Sequence, residues 1–154
     1  MNQFMQQAIR LALENVRSGR GGPFGALIVK DGAVLATGVN QVASALDPTA
    51  HAEIVAIRAA CQARANFQLT ECDLYTTCEP CPMCMGAIYW ARVSKVYYAN
   101  TRSDAAAIGF DDSFIYDQLA LPLDARKIPM VQLMREQALA AFSDWERAES
   151  KIQY

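Results

Sequence analysis

The stretch Cys78-Glu79-Pro80-Cys81-Pro82-Met83-Cys84, read with His51-Ala52-Glu53 upstream, constrains this chain more than any other part of it. Two cysteines at i, i+3 and a distant histidine are three zinc ligands of the usual kinds. Pro82 follows Cys81 and precedes an apolar run from Met83 to Tyr89. That predicts a helix start, with Cys81 near the N-cap and Pro82 at the first helical position. Cys84 then falls one turn along on the same face. The positive end of the helix favours both thiolates, the forms that bind metal. His51 and Glu53 are two apart, so in a helix interior they would point to nearly opposite sides. They can serve one site only in the first turn of a helix. Asp47-Pro48-Thr49 predicts that start, with Pro48 as a first-turn residue. The expectation is two helix N-termini meeting at a metal.

Two thiolates and a neutral imidazole leave a zinc site formally neutral. That weakens its pull on a bound water, so a separate base is useful, and Glu53 is positioned to be one. A His-x-Glu paired with Pro-Cys-x-x-Cys is the mark of zinc-dependent base deaminases, with the Glu as acid/base and not a ligand. The pattern resembles the cytidine deaminase superfamily. Gly21-Gly22-Pro23-Phe24-Gly25-Ala26, Asp47 through Glu53, Cys78 through Arg92, Gly109 through Tyr116 and the terminal Tyr154 are similar to the bacterial guanine deaminases in particular. The zinc motifs mark only the superfamily. The Gly109-Phe110-Asp111-Asp112-Ser113-Phe114 stretch and the end of the chain point to the subfamily.

The resemblance implies hydrolytic deamination of guanine to xanthine and ammonia. It implies one zinc per subunit on His51, Cys81 and Cys84, with water in the fourth position. Glu53 and Asp112 are then the catalytic carboxylates, one activating water and the other handling the leaving amine. Phe24, Asn40, Ala52, Trp90 and Tyr154 become substrate-binding residues. Phe24 is a stacking wall for a flat base, and Asn40 a hydrogen-bonding amide on the purine edge. The resemblance further implies a homodimer whose C-terminal segments are exchanged, with Tyr154 closing the second subunit's pocket, and a role in purine catabolism.

The residues taken alone leave other readings open. Cys78 lies three before Cys81 and can be the fourth ligand of a closed, structural zinc in a non-catalytic protein. The ligand types also overlap with those of iron. Glu53 can be a solvated helix-face carboxylate, and Phe24 and Trp90 core aromatics. Asn40 can cap a strand, Asp111-Asp112 can be a polar turn, and Tyr154 a frayed end. Cys61 and Cys72 read as core or loop thiols. A tRNA adenosine deaminase would share the zinc motifs and Asp47-Pro48-Thr49-Ala50, but it needs a basic track for its substrate. The net charge of −2 gives no such footprint. The closing helix, with Glu136, Asp144, Glu146, Arg147, Glu149 and Lys151, is also too acidic for one. A cytosine or cytidine deaminase, and guanosine or an aminotriazine as substrate, stay within the same chemistry.

The chain has 154 residues, 53% hydrophobic and 19% charged, which suits a single α/β deaminase domain, residues 1–154, with a real core. Five cysteines, an odd number, and the absence of an apolar leader suggest a reducing, cytoplasmic setting. No apolar run is long enough to span a bilayer. In order, the patterns predict a helix over 2–18, strands over 24–30 and 33–39 joined by an Asp31-Gly32 hairpin turn, and a polar loop over 41–47. A helix over 50–64, a strand over 74–77, the cysteine helix and a strand over 96–99 follow. Beyond them come a loop over 101–112, helical turns over 113–119, a fifth strand over 128–133 and a helix over 135–150. Alternating helices and strands imply a three-layer α/β/α fold, cytidine deaminase-like, around a five-stranded mixed sheet.

Overall fold

The computed structural model describes residues 2–154, which form two compact units, the first ending at Asp112 and the second spanning Ser113–Tyr154. In the first unit, helix α1 (Gln3–Arg17) is followed by the strands β1 (Gly25–Lys30) and β2 (Ala33–Val39). Helices α2 (Val42–Ala45) and α3 (Ala52–Arg64), strand β3 (Cys72–Cys78), helix α4 (Pro82–Ala91), strand β4 (Lys95–Asn100) and helix α5 (Arg102–Ala107) complete it. The four strands lie in the order β2-β1-β3-β4. β1 is antiparallel to both β2 and β3, and β3 is parallel to β4.

The hairpin forms where the turn chemistry requires it. Asp31 (φ 50°) and Gly32 (φ 74°) both lie in the left-handed region, as a two-residue turn matched to strand twist demands. The central strands β1 and β3 bury both faces, as strands between two helical layers must, while β2 and β4 at the edges are more exposed. On one face Ala8 of α1 packs with Leu27, Val29 and Tyr75. On the other, Ala26, Ile28 and Leu74 meet Ala52, Ala56, Ile57 and Ala60 of α3 and Ile88 and Ala91 of α4. Removing the Ile28 side chain beyond Cβ from this packing would cost about 2–5 kcal/mol.

Close approach shapes both contacts. A Cβ on Gly25 would lie 2.5 Å from Ala8 O, and one on Gly38 would lie 2.1 Å from Ala52 O. For the same reason the buried stripe of α1 runs through Ala8, Ala12 and Asn15. Of the residues at helical spacing in the sequence, Met5 and Leu11 pack against the group of Ala8, Leu27, Val29 and Tyr75, while Ile9, Leu13 and Val16 are exposed.

Four expected elements differ from those observed. The sheet has four strands, because residues 128–133 form no strand. Pro129 interrupts that run and has no amide to give a ladder, and Ile128, Val131 and Leu133 are exposed. α3 begins at Ala52, so Pro48 lies in the turn before the helix rather than in its first turn. The 101–112 loop contains α5, started by a capping box in which Thr101 accepts from the Asp104 amide and Asp104 from the Thr101 amide. The loop over 41–47 contains the short α2.

The second unit consists of helix α6 (Ser113–Ala120), a single tight turn at Leu123–Ala125 and helix α7 (Arg135–Arg147). Arg126 donates to the carbonyls of Leu119 and Leu121, and the Lys127 amide donates to Gln118 Oε1, so the connecting segment is tied to α6. No helix among the described residues is long and apolar enough to cross a membrane.

Candidate metal centre

His51 is the N-cap of α3 (φ −69°, ψ 157°) and Cys81 the N-cap of α4 (φ −66°, ψ 169°). Neither side chain caps its own helix, which leaves both for another partner. Pro82 occupies the first helical position of α4, and Cys84 lies in its first turn. Two helix N-termini do converge here, and their partial positive charge favours thiolates. The loop leading to His51 is braced. Asp47 Oδ1 accepts from the Thr49 amide at 2.8 Å and from its hydroxyl at 2.7 Å, while Arg58 Nη1 reaches Asp47 Oδ2 at 3.3 Å. Because Arg58 is on α3, the turn is tied to the body of the helix it precedes.

His51 Nδ1 lies 3.6 Å from Cys81 Sγ and 3.5 Å from Cys84 Sγ, and the three ligand atoms fall within 4.8 Å of one another. A tetrahedral zinc with Zn–S of about 2.3 Å and Zn–N of about 2.0–2.1 Å would hold an N···S pair about 3.5–3.6 Å apart. The donor set fits zinc in both chemistry and spacing, and three protein ligands leave a fourth position open. Among the protein groups alone, a hydrogen bond from the Cys84 thiol holds Cys81 down to about 4, with His51 adding to the effect. The same contact, with burial, pushes the Cys84 thiol up. The hydrogen bond to Cys81 raises His51 against its own burial.

Cys78 is not part of this group. Its Sγ donates to Thr101 O at 3.6 Å, and burial pushes the thiol up to about 11. The closed site with Cys78 as fourth ligand therefore has no support in the geometry. Cys72 is a core thiol and Cys61 packs at the core's edge. None of the five cysteines is in a disulfide.

Glu53 is 5% exposed, which excludes a solvated helix-face carboxylate. Its Oε1 accepts from the Thr76 hydroxyl at 3.2 Å and its Oε2 from the Cys84 thiol at 3.6 Å. Burial pushes the carboxyl up, partly offset by hydrogen bonds from its own amide and from Thr76. A buried carboxylate in contact with a thiol of the cluster is suited to taking and returning protons.

The other expected residues are distributed as follows. Ala52 is fully buried at the first position of α3. Asn40 is buried just beyond β2. Its amide donates to Phe24 O, and the Gln41 amide donates to Ala50 O, next to His51. The Phe24 ring is partly buried and meets Phe110 edge-on, at 5.0 Å between centroids and 88° between planes. Asp112 is partly buried at the end of the first unit. Burial raises its carboxyl, and the nearby Cys81 charge adds to this, while Arg102 opposes it. Trp90 is 68% exposed on α4, and Tyr154, at the end of the second unit, is 69% exposed.

Sequence reasoning passed over Thr76 and the side-chain contacts of Phe110 and Glu79. Thr76 on β3 carries no motif, and only the strand's pairing shows that it faces Glu53. Phe110 follows Gly109, whose φ of 93° turns the chain after α5. Glu79 Oε2 accepts from the Arg102 amide at 3.1 Å, which ties the start of α5 to the loop between β3 and α4. The Thr-x-x-Asp spacing at 101–104 was the available signal for that helix.

Comparison with known proteins agrees with this geometry. The family described as the cytidine and deoxycytidylate deaminase zinc-binding region matches residues 1–100. The guanine deaminase of Bacillus subtilis is 52% identical over 151 residues, covering 98% of this chain and 97% of its own. The X-ray structure of guanine deaminase from Bacillus subtilis superposes with a TM-score of 0.97, covering 100% of this chain and 99% of the other at 52% identity. The tRNA-specific adenosine deaminase of Agrobacterium fabrum is 49% identical, but over 86 residues, covering 56% of this chain and 57% of its own. The family match over the metal-binding elements and the likeness along the full length lead to one assignment: the chain belongs to the cytidine and deoxycytidylate deaminase family, on its guanine deaminase branch.

Proposed function

We propose that the chain is a zinc-dependent hydrolase that converts guanine and water to xanthine and ammonia. One observation carries the choice of substrate. Likeness to the Bacillus subtilis guanine deaminase runs through the whole chain, whereas likeness to the tRNA-specific adenosine deaminase covers 56% of it. The net charge of −2 also gives no reason to expect a polyanionic substrate.

In this reading His51, Cys81 and Cys84 hold one zinc per subunit. When bound, zinc supplies a Lewis acid whose open position lowers the pKa of a water held there. Glu53 takes a proton from that water as its oxygen bonds to C2 of guanine, and delivers the proton to the adjacent ring nitrogen. The C2–amine bond then breaks. Glu53 or Asp112 takes the proton of the new C2 hydroxyl and passes it to the amine, which leaves as ammonia while the C2–oxygen bond becomes the carbonyl of xanthine. The backbone carbonyl of Glu79 accepts a hydrogen bond from the departing amine. Thr76 keeps the Glu53 carboxylate aimed by donating to Oε1. Phe24 stacks on the purine, Asn40 hydrogen-bonds its edge, and Ala52 and Trp90 complete the contact.

The same reading makes the protein a cytoplasmic homodimer of purine catabolism whose residues 113–154 are exchanged between subunits. Tyr154 then covers the partner's pocket and excludes water. The exposed Phe142 and Trp145 of α7 are consistent with a surface that a second copy covers.

The test is ammonia release from zinc-loaded protein offered guanine, guanosine, adenine, cytosine and cytidine in parallel, with Glu53→Gln as control. Release from guanine that is lost in the variant is expected. Release only from a tRNA anticodon stem would transfer the assignment to the tRNA adenosine deaminases.

A further inference from the structure

Asn15 is a polar residue in the buried stripe of α1, only 1% exposed. Its Nδ2 donates both hydrogens, to Gly22 O at 3.0 Å and to Asn40 O at 2.9 Å. Its Oδ1 is buried with no hydrogen-bond partner. An unpaired buried acceptor is unfavourable, but an apolar residue of the same size would leave two carbonyls without their donors. What the site requires is two donors, and the two carbonyls they reach share a purpose.

Gly22 and Asn40 meet a second time. The Gly22 amide donates to Asn40 Oδ1 at 3.4 Å, and the Val42 amide donates to the same oxygen at 3.4 Å. Two N–H donors around one end of the carboxamide identify that end as the oxygen. They draw Oδ1 against the backbone and turn Nδ2 the other way. Gly21 allows the loop this close, since a Cβ there would lie 2.1 Å from Asn40 O and 2.8 Å from Asn15 Nδ2. α1, the loop after it and the end of β2 thus join at Asn15, and the junction holds the side chain of Asn40 from both the Gly22 and the Val42 amides.

We infer that Asn15 is a positioning residue for substrate recognition: by clamping the carbonyls of Gly22 and Asn40, it fixes the Asn40 carboxamide with its N–H end presented to a hydrogen-bond acceptor on the purine. This rests on the reading of Asn40 as a substrate-binding residue. Asn15 is 1% exposed and its side chain bonds only to backbone carbonyls that are not those of the metal ligands, so its loss should disturb base binding and leave the chemical step intact.

The experiment is a double-mutant cycle with Asn15→Leu, Asn40→Ala and the pair combined, reading kcat, KM for guanine, zinc content and Tm. Asn15→Leu is expected to raise KM about tenfold, the scale of one orienting hydrogen bond. Zinc content should stay full and kcat should fall by no more than about twofold. The combined variant should be no worse than Asn40→Ala alone, because residues acting through one another are not additive. Asn15→Ser, which can still donate to one carbonyl, should lie between the wild type and Asn15→Leu, and it carries the test if the leucine variant does not fold. A lowered Tm with unchanged KM would make Asn15 purely structural and overturn the inference. So would KM effects that multiply in the combined variant. If Asn40→Ala leaves KM unchanged, the reading of Asn40 fails first and takes the inference with it.

Discussion

Glu53 is where sequence and geometry meet most tightly. A carboxylate buried this deeply persists only if something uses or satisfies it, and its visible partners are Thr76 and Cys84. Glu53→Gln keeps the shape and removes the proton carrier. It should retain zinc, measured by metal analysis, while kcat falls at least about 10²–10⁴-fold. Thr76→Val is nearly isosteric and removes only the hydroxyl that aims Oε1. Its kcat should drop about tenfold with zinc unchanged, and Thr76→Ser should restore it. The metal ligands were legible from spacing because each sits at a helix start that proline marks or a turn announces. Thr76 and Asn15 were not legible. Their importance comes from what lies across a strand pair or a helix–loop junction, and no local pattern records that.

At the scale of elements, the two helix N-termini are held by the contact of α3 with the sheet. Gly38 sets that contact, since any side chain there would meet the backbone of Ala52 and Ala56. Gly38→Ala should destabilise the fold by about 1–3 kcal/mol through overpacking. It should also weaken zinc binding, because the same shift moves His51, and calorimetry with a competitive chelator would measure both effects. The hairpin and the start of α4 were readable because Asp31-Gly32 and Pro82 force local geometry wherever they occur, whereas α3 begins two residues after its expected start at residue 50. The expected fifth strand failed on Pro129, which breaks a ladder that the surrounding apolar residues otherwise suggest. α5 went unseen because its capping box was outweighed by a stretch rich in glycine, alanine and aspartate. The apolar spacing of α1 was only partly a guide to its buried side, since Met5 and Leu11 pack on the core but close packing on the sheet selects Ala8 and Ala12 at its centre and leaves Ile9, Leu13 and Val16 exposed.

For the whole molecule, the metal links the turn before α3 to the start of α4, so it should stabilise as well as catalyse. Chelation should abolish activity and lower Tm, and restored zinc should recover both, because metal bound only by the folded state stabilises it by mass action. The assay that bears most directly on the central claim is ammonia release from guanine, with guanosine, adenine, cytosine, cytidine and a tRNA anticodon stem alongside and Glu53→Gln as control. The account predicts release from guanine, xanthine formed in equal amount, and loss of both in the variant. A zinc-loaded protein that leaves guanine untouched, or a Glu53→Gln variant that turns over at the wild-type rate, would contradict it.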